Sequence, residues 1–134
     1  LHEKLENMIK VNRTVAFRLL AISWMGLIFY MSHQQSLPVP MLFVGQDKVE
    51  HFVVYAILGW LIANSFAPQQ VIGWRRVGMV FAFTMLYGIS DEYHQSFVPG
   101  RDASVLDALS DGFGGLFAGQ IYCWHAQRWI VGRG

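Results

Sequence analysis

Charge is what this sequence has least of. Only 14% of its 134 residues are Asp, Glu, Lys or Arg, against roughly a quarter in a typical soluble domain. A chain of this length makes one modest domain. If water covered it, its surface would have to be largely polar, and these few charges do not supply that. The net charge of +1 comes without a long basic run or a nucleic-acid motif, which argues against a nucleic-acid partner. A single cysteine, Cys123, excludes an internal disulfide and any multi-cysteine metal site; its apolar neighbours make it a small packing residue. There is no HExxH-like metal spacing, no phosphate-cradling glycine loop and no nucleophile elbow. LHEKLENMIKVNR also lacks the apolar core of a signal peptide.

Apolar residues are abundant instead, at 54%, and ten Phe, five Trp and five Tyr can anchor both interfaces of a bilayer. Four segments carry most of them. The run LLAISWMGLIFYM (19–31), extended back to Val15 with Arg18 reaching for headgroups, gives 17 residues, the lower limit for a span. VEHFVVYAILGWLIANSF (49–66) gives 18. A third runs from Val77 through Ser90 to Phe97, where Pro99-Gly100 stops it, and a fourth from Val105 to Trp124. A soluble bundle of such helices would have little wettable surface. The expected fold is therefore all-α, a polytopic membrane protein built as a bundle of four transmembrane helices; a re-entrant hairpin among the later segments is the rival. Residues 1–14 form a cytoplasmic N-terminal segment, 15–125 the membrane domain and 126–134 a short cytoplasmic tail.

Positive charge sets the orientation. Lys4, Lys10, Arg13 and Arg18 precede or enter the first span, Arg75 and Arg76 lie between the second and third, and Arg128 and Arg133 follow the fourth. The positive-inside rule puts both termini and the 67–76 loop in the cytoplasm. Loops 32–48 and 91–104 then face outward. Of nine acidic residues only Glu3 and Glu6 stay inside; Asp47, Glu50, Asp91, Glu92, Asp102, Asp107 and Asp111 map to the outer side with His51 and His94.

In DKVEHFVVY, Lys48, His51 and Tyr55 share one helix face at i, i+3 and i+7. In DEYHQSFVPGRD, four ionisable groups crowd one span end: Asp91, Glu92, His94 and Arg101. Asp91 and Glu92 are adjacent, so one can face the bundle while the other pairs with Arg101 or Lys48. Ser104 with Asp107 three residues on approximates a capping box, which would hold Asp107 at the helix N-terminus. Asp111 lies a turn deeper on the same face, where an inward-facing carboxylate can pair with His51 or Arg101. Two carboxylates a turn apart repel, which leaves a shared proton or a bound cation open. Gly112, Gly114, Gly115, Ala118 and Gly119 allow close helix contact there.

The combination resembles the VanZ-like family, small membrane proteins named after a teicoplanin-resistance accessory protein of Gram-positive bacteria. The resemblance runs from about Phe29 to Gly119, through YMSHQ (30–34) with Ser32, DKVEHFVVYAILG (47–59), and YGISDEYHQSFVPGRDASVLDALSDGFGGLFAG. Asp91, Glu92, Gln95, Pro99, Gly100, Arg101 and Asp107 stand in the family's pattern; Asp111 replaces its common Asn. The resemblance implies a bacterial cell membrane location, with the polar site facing the periplasm or exterior, and a link to lowered glycopeptide susceptibility. It carries over no reaction.

The expected function is a site for the anionic head group of an envelope lipid, such as an isoprenoid phosphate. Arg101 would clamp phosphate and Lys48 add a point charge, beside Tyr55, Gln95 and Asp111 as further binding residues. If chemistry follows binding, it is phosphoryl transfer or hydrolysis on a lipid phosphate, with His51, Asp91, Glu92, His94 and Asp107 as acid–base or nucleophilic groups. No cofactor is expected, although a loosely held divalent cation fits the same side chains. Lipid or proton transport, and a structural role with a homo-oligomeric or envelope-enzyme partner, are the alternatives.

Overall fold

A computed structural model describes residues 1–35, 40–67 and 73–131. Arg133 and parts of the 32–48 and 67–76 connections lie outside them. Among the described residues all regular structure is helical, as expected: α1 (His2–Ser32), α2 (Gln46–Asn64), α3 (Gly73–Gln95) and α4 (Val105–Val131). The helices begin earlier or end later than the apolar runs alone. The first is already helical from His2. At 31 residues α1 is about 46 Å long.

Gly45 takes φ 84° just before α2, and Gly100 takes φ 82° in the turn between α3 and α4, a left-handed conformation that side chains disfavour. Arg101 N donates to Val98 O at 3.1 Å to close that second turn. The C-terminal ends of α1 and α3 thus meet the N-terminal ends of α2 and α4 at one end of the bundle.

Helix α4 packs between α2 and α3, while α1 lies against α2. The small residues of α4 make this closeness possible. A Cβ on Gly114 would run into Phe52 O and stand 2.9 Å from Ala56 N, both backbone of α2. One on Gly115 would stand 2.6 Å from Thr84 Cγ2 of α3. Helix α1 is tied on by Trp24 Nε1 donating to Val54 O at 3.0 Å and Tyr87 Oη donating to Met25 O at 2.8 Å.

The far end is held by arginines. Arg13 donates to Asn64 Oδ1 at 3.2 Å, Arg18 to Ser65 O at 3.1 Å, and Arg76 to Ala63 O and Ala67 O, each at 3.0 Å. These guanidinium groups meet the carbonyl-rich C-terminal end of α2, where a helix leaves acceptors unsatisfied and favours positive charge. Arg76, read in sequence only as a topology signal, is 2% exposed and lies 4.8 Å from the Tyr122 ring centre.

Large apolar side chains lie on the outside of the bundle while several polar ones are buried. Val49, Val53, Ile57 and Trp60 face outward from α2, as do Met79, Phe83 and Leu86 from α3 and Phe113, Phe117 and Trp124 from α4. Asp91, Glu92, Gln95, Asp107 and Asp111 are buried. Among the described residues one helix, over Lys4–Ser32, is long and apolar enough by length and composition to cross a membrane, with a mean hydropathy of 1.6.

The glycine contacts give a direct check. Gly114→Ala forces two backbones apart and is expected to cost about 1–3 kcal/mol. Gly78→Ala, with nothing within 4 Å of the new Cβ, should gain about 0.5–1 kcal/mol from helix propensity. Thermal melts of the two variants in detergent should therefore move in opposite directions.

Candidate functional site

Four buried carboxylates define the end of the bundle where α2, α3 and α4 converge. Asp107 and Asp111 lie one turn apart on α4, and α2 answers them with Lys48 and His51 at matching height. Lys48 Nζ donates to Asp107 Oδ1 at 2.9 Å, and His51 Nδ1 lies 2.9 Å from Asp111 Oδ1. The expected pairing of Asp111 with His51 is present. Asp111 fits because α3 offers no side chain at Gly88, where a Cβ would stand 2.6 Å from Asp111 Cβ.

Lys48 also contacts its neighbour Asp47 at 2.6 Å. These two groups, at the mouth of α2, shift one another: the Lys48 amine holds Asp47 below the usual carboxylate range. Asp47 first, and Asp107 after it, hold the Lys48 amine above its ordinary value.

Asp91 and Glu92, adjacent on α3, are both buried and divide between neighbours. Asp91 turns to α2 and to its own helix, accepting from Tyr55 Oη and Gln95 Nε2, each at 3.3 Å. Glu92 turns to α4, where Oε2 accepts from Ser104 N at 2.7 Å. The expectation that one of them pairs with Arg101 or Lys48 is not met. At the end of α3 Asp91 reaches Tyr55 of α2 and Glu92 reaches Ser104 at the start of α4. Nor does a capping box form, since Glu92 takes the Ser104 amide and Lys48 takes Asp107.

Arg101 follows the Pro99-Gly100 turn back over the bundle, as the sequence suggests, but reaches farther than expected. Its Nη2 donates to Met31 O at the end of α1, at 3.1 Å. Its Nε is buried with no hydrogen-bond partner, as are Glu92 Oε1 and Asp111 Oδ2. Among the described residues these are the three buried side-chain polar atoms left unsatisfied, and all belong to this end.

A half-open cavity of about 540 Å³ adjoins the cluster. Trp24, Leu27, Ile28, Met31 and Val54 form an apolar wall from α1 and α2. Facing it are Ser32, Asp47, Glu50, His51, Tyr55, Asp91, Gln95 and Arg101. Lys48, Glu92, Asp107 and Asp111 stand behind that polar wall rather than in it. Nine of the ten residues singled out from sequence are thereby gathered at one end.

His94 is the exception. It turns from the cluster toward α1, with its ring 4.5 Å from that of Phe29 and Nε2 3.3 Å from His33 Nδ1. Three residues from Asp91, it sits far enough round the helix to meet a different neighbour. Sequence reasoning did not single out Glu50, which accepts from Gln46 Nε2 at 2.7 Å, or the whole apolar wall of α1. Glu50 lies one residue before His51, off the face that Lys48, His51 and Tyr55 share, and the wall residues fall within apolar runs that carry no polar signal.

Neither the curated proteins nor the solved structures searched contain a match. A family model described as VanZ/LLP1 matches residues 17–126, taking in α2 and α3 entirely, the second half of α1 and most of α4. Every residue of the cluster and of the cavity wall falls inside that match, and the chain belongs to the VanZ/LLP1 family.

Proposed function

We propose that the cavity receives the anionic head group of a cell-envelope lipid, with its tail along the apolar wall. The observation that carries this reading is Arg101, a guanidinium on the cavity rim whose Nε is buried without an acceptor. A buried donor left unmade costs about 1–3 kcal/mol, and a phosphate oxygen is the acceptor that a guanidinium fork fits best. The cavity acids are already engaged: Asp47 by Lys48, Glu50 by Gln46, Asp91 by Tyr55 and Gln95. Arg101 is the group with donors to spare.

In this reading all four helices are lipid-embedded. The outward apolar stripes of α2, α3 and α4 support it, as does the inward turn of the charges, because charges at membrane depth face protein or water. The arginine-rich end lies in the cytoplasm and the cavity opens to the periplasm or exterior of a bacterial cell. A link to glycopeptide resistance would then run through the lipid bound.

The Lys48–Asp107 and His51–Asp111 contacts favour a second reading, in which the cluster only locks α2 to α4. Farnesyl phosphate and farnesol, titrated in detergent against Trp24 fluorescence in a chain whose other four Trp are replaced by Phe, separate the two. The phosphate should quench saturably and the alcohol should not. Arg101→Gln should raise the apparent Kd about tenfold, the loss of one charge-assisted hydrogen bond, with the melting temperature kept. A folded variant that binds like the parent contradicts the lipid reading, and a variant that simply loses folded protein favours the lock.

Orientation has its own test. Ser96 is exposed just past α3. In a Cys123→Ala background, Ser96→Cys should react with a membrane-impermeant thiol reagent added to intact cells. Labelling confined to opened cells would reverse the topology.

A further inference from the structure

The carboxylate cluster has more acceptors than the chain supplies donors for. Asp91, Glu92, Asp107 and Asp111 are each at most 6% exposed. The Lys48 ammonium and the His51 imidazole are the groups paired with them among the described residues. Two carboxylate oxygens, Glu92 Oε1 and Asp111 Oδ2, are buried with no hydrogen-bond partner. Each forfeits a hydrogen bond it would make in water, and an ionised carboxylate is costly to bury that way.

The unpartnered Glu92 oxygen faces the His51 ring, 3.8 Å from Nδ1, the nitrogen that also meets Asp111 Oδ1 at 2.9 Å. One ligand atom each of His51, Glu92 and Asp107 lie within 4.8 Å of one another. Around an ion held at about 2.1 Å, ligand atoms are about 3.0–4.2 Å apart, so modest side-chain rotations close the set. Asp107 has two oxygens, and Lys48 occupies Oδ1. Asp111 completes the arrangement from behind: accepting from Nδ1–H, it fixes the tautomer whose lone pair is on Nε2, which makes Nε2 the nitrogen for an ion, the support that ligating histidines usually have.

We infer that His51, Glu92 and Asp107 form a binding site for a divalent cation, with Asp111 as the residue that orients His51. One imidazole with two carboxylates suits Mn²⁺ or Zn²⁺ better than Mg²⁺ or Ca²⁺, which favour oxygen-only shells. The three ligands come from α2, α3 and α4, so the ion joins the three helices whose ends converge there. Ion binding is measured without any lipid and stands apart from the head-group reading. Where both hold, the ion adds positive charge behind a cavity wall that is otherwise rich in acids, beside the place where an anionic group would sit.

The test uses the full chain in detergent, stripped with chelator and titrated with Mn²⁺ under electron paramagnetic resonance. One Mn²⁺ per chain should bind, and the bound ion should show electron spin-echo modulation from a coordinated imidazole nitrogen. Glu92→Gln should weaken binding at least tenfold and Asp111→Asn about tenfold, with Asp102→Asn unchanged. Excess Zn²⁺ should displace Mn²⁺, and equimolar Mg²⁺ should not. The proposal is overturned if folded wild-type chain binds no Mn²⁺ saturably. Bound Mn²⁺ without nitrogen modulation, or a folded Glu92→Gln chain of unchanged affinity, overturns it equally. The nitrogen signature is read on wild-type protein and so does not depend on any variant folding.

Discussion

Asp111, wholly buried between three helices, sets the terms on which this bundle closes. A carboxylate in so apolar a setting is tolerable only with hydrogen-bond partners. His51 supplies one from α2, and the missing side chain at Gly88 makes room for it against α3. One turn outward, Asp107 and Lys48 repeat the arrangement between α4 and α2. These polar contacts fix rotation and register between helices that the small residues of α4 bring close. Packing supplies proximity; the polar pairs supply specificity.

The two ends of the bundle solve opposite problems. At one, the C-terminal end of α2 presents free carbonyls, and Arg13, Arg18 and Arg76 cover that end from α1 and α3. At the other, carboxylates outnumber the cations that reach them, and the unsatisfied buried side-chain atoms of the described residues collect there. Structural needs are met almost completely at the arginine end. The surplus at the acidic end is what a ligand would use, which is why the lipid and the ion are both argued from atoms left over after the fold is satisfied.

Much of this was legible in the sequence. The four helices follow from their apolar runs, and the convergence of Lys48, His51, Asp91, Glu92, Asp107 and Asp111 follows from charge topology and helical spacing. Other features depend on which neighbour lies in which direction. His94 shares a face with Asp91 by spacing alone, yet the arrangement of α1 takes it to Phe29 and His33. Arg76 counted as a charge in a loop, and nothing local marks it as the group that covers the end of another helix. Arg101 reads in sequence as a phosphate clamp that could also pair with an acid, and the turn at Gly100 carries it to a carbonyl of α1.

The apolar wall and the guanidinium meet at one cavity, and the central claim is that a lipid phosphate occupies their junction. Rotational-echo double resonance between lipid ³¹P and guanidinium ¹⁵N in arginine-labelled chain, reconstituted in anionic bilayers, reads that contact directly. Wild-type chain should dephase more than Arg101→Gln, leaving a difference signal that corresponds to a phosphorus–nitrogen separation of about 4 Å, as hydrogen-bonded guanidinium and phosphate require. Superimposable dephasing curves from the two folded proteins would contradict it.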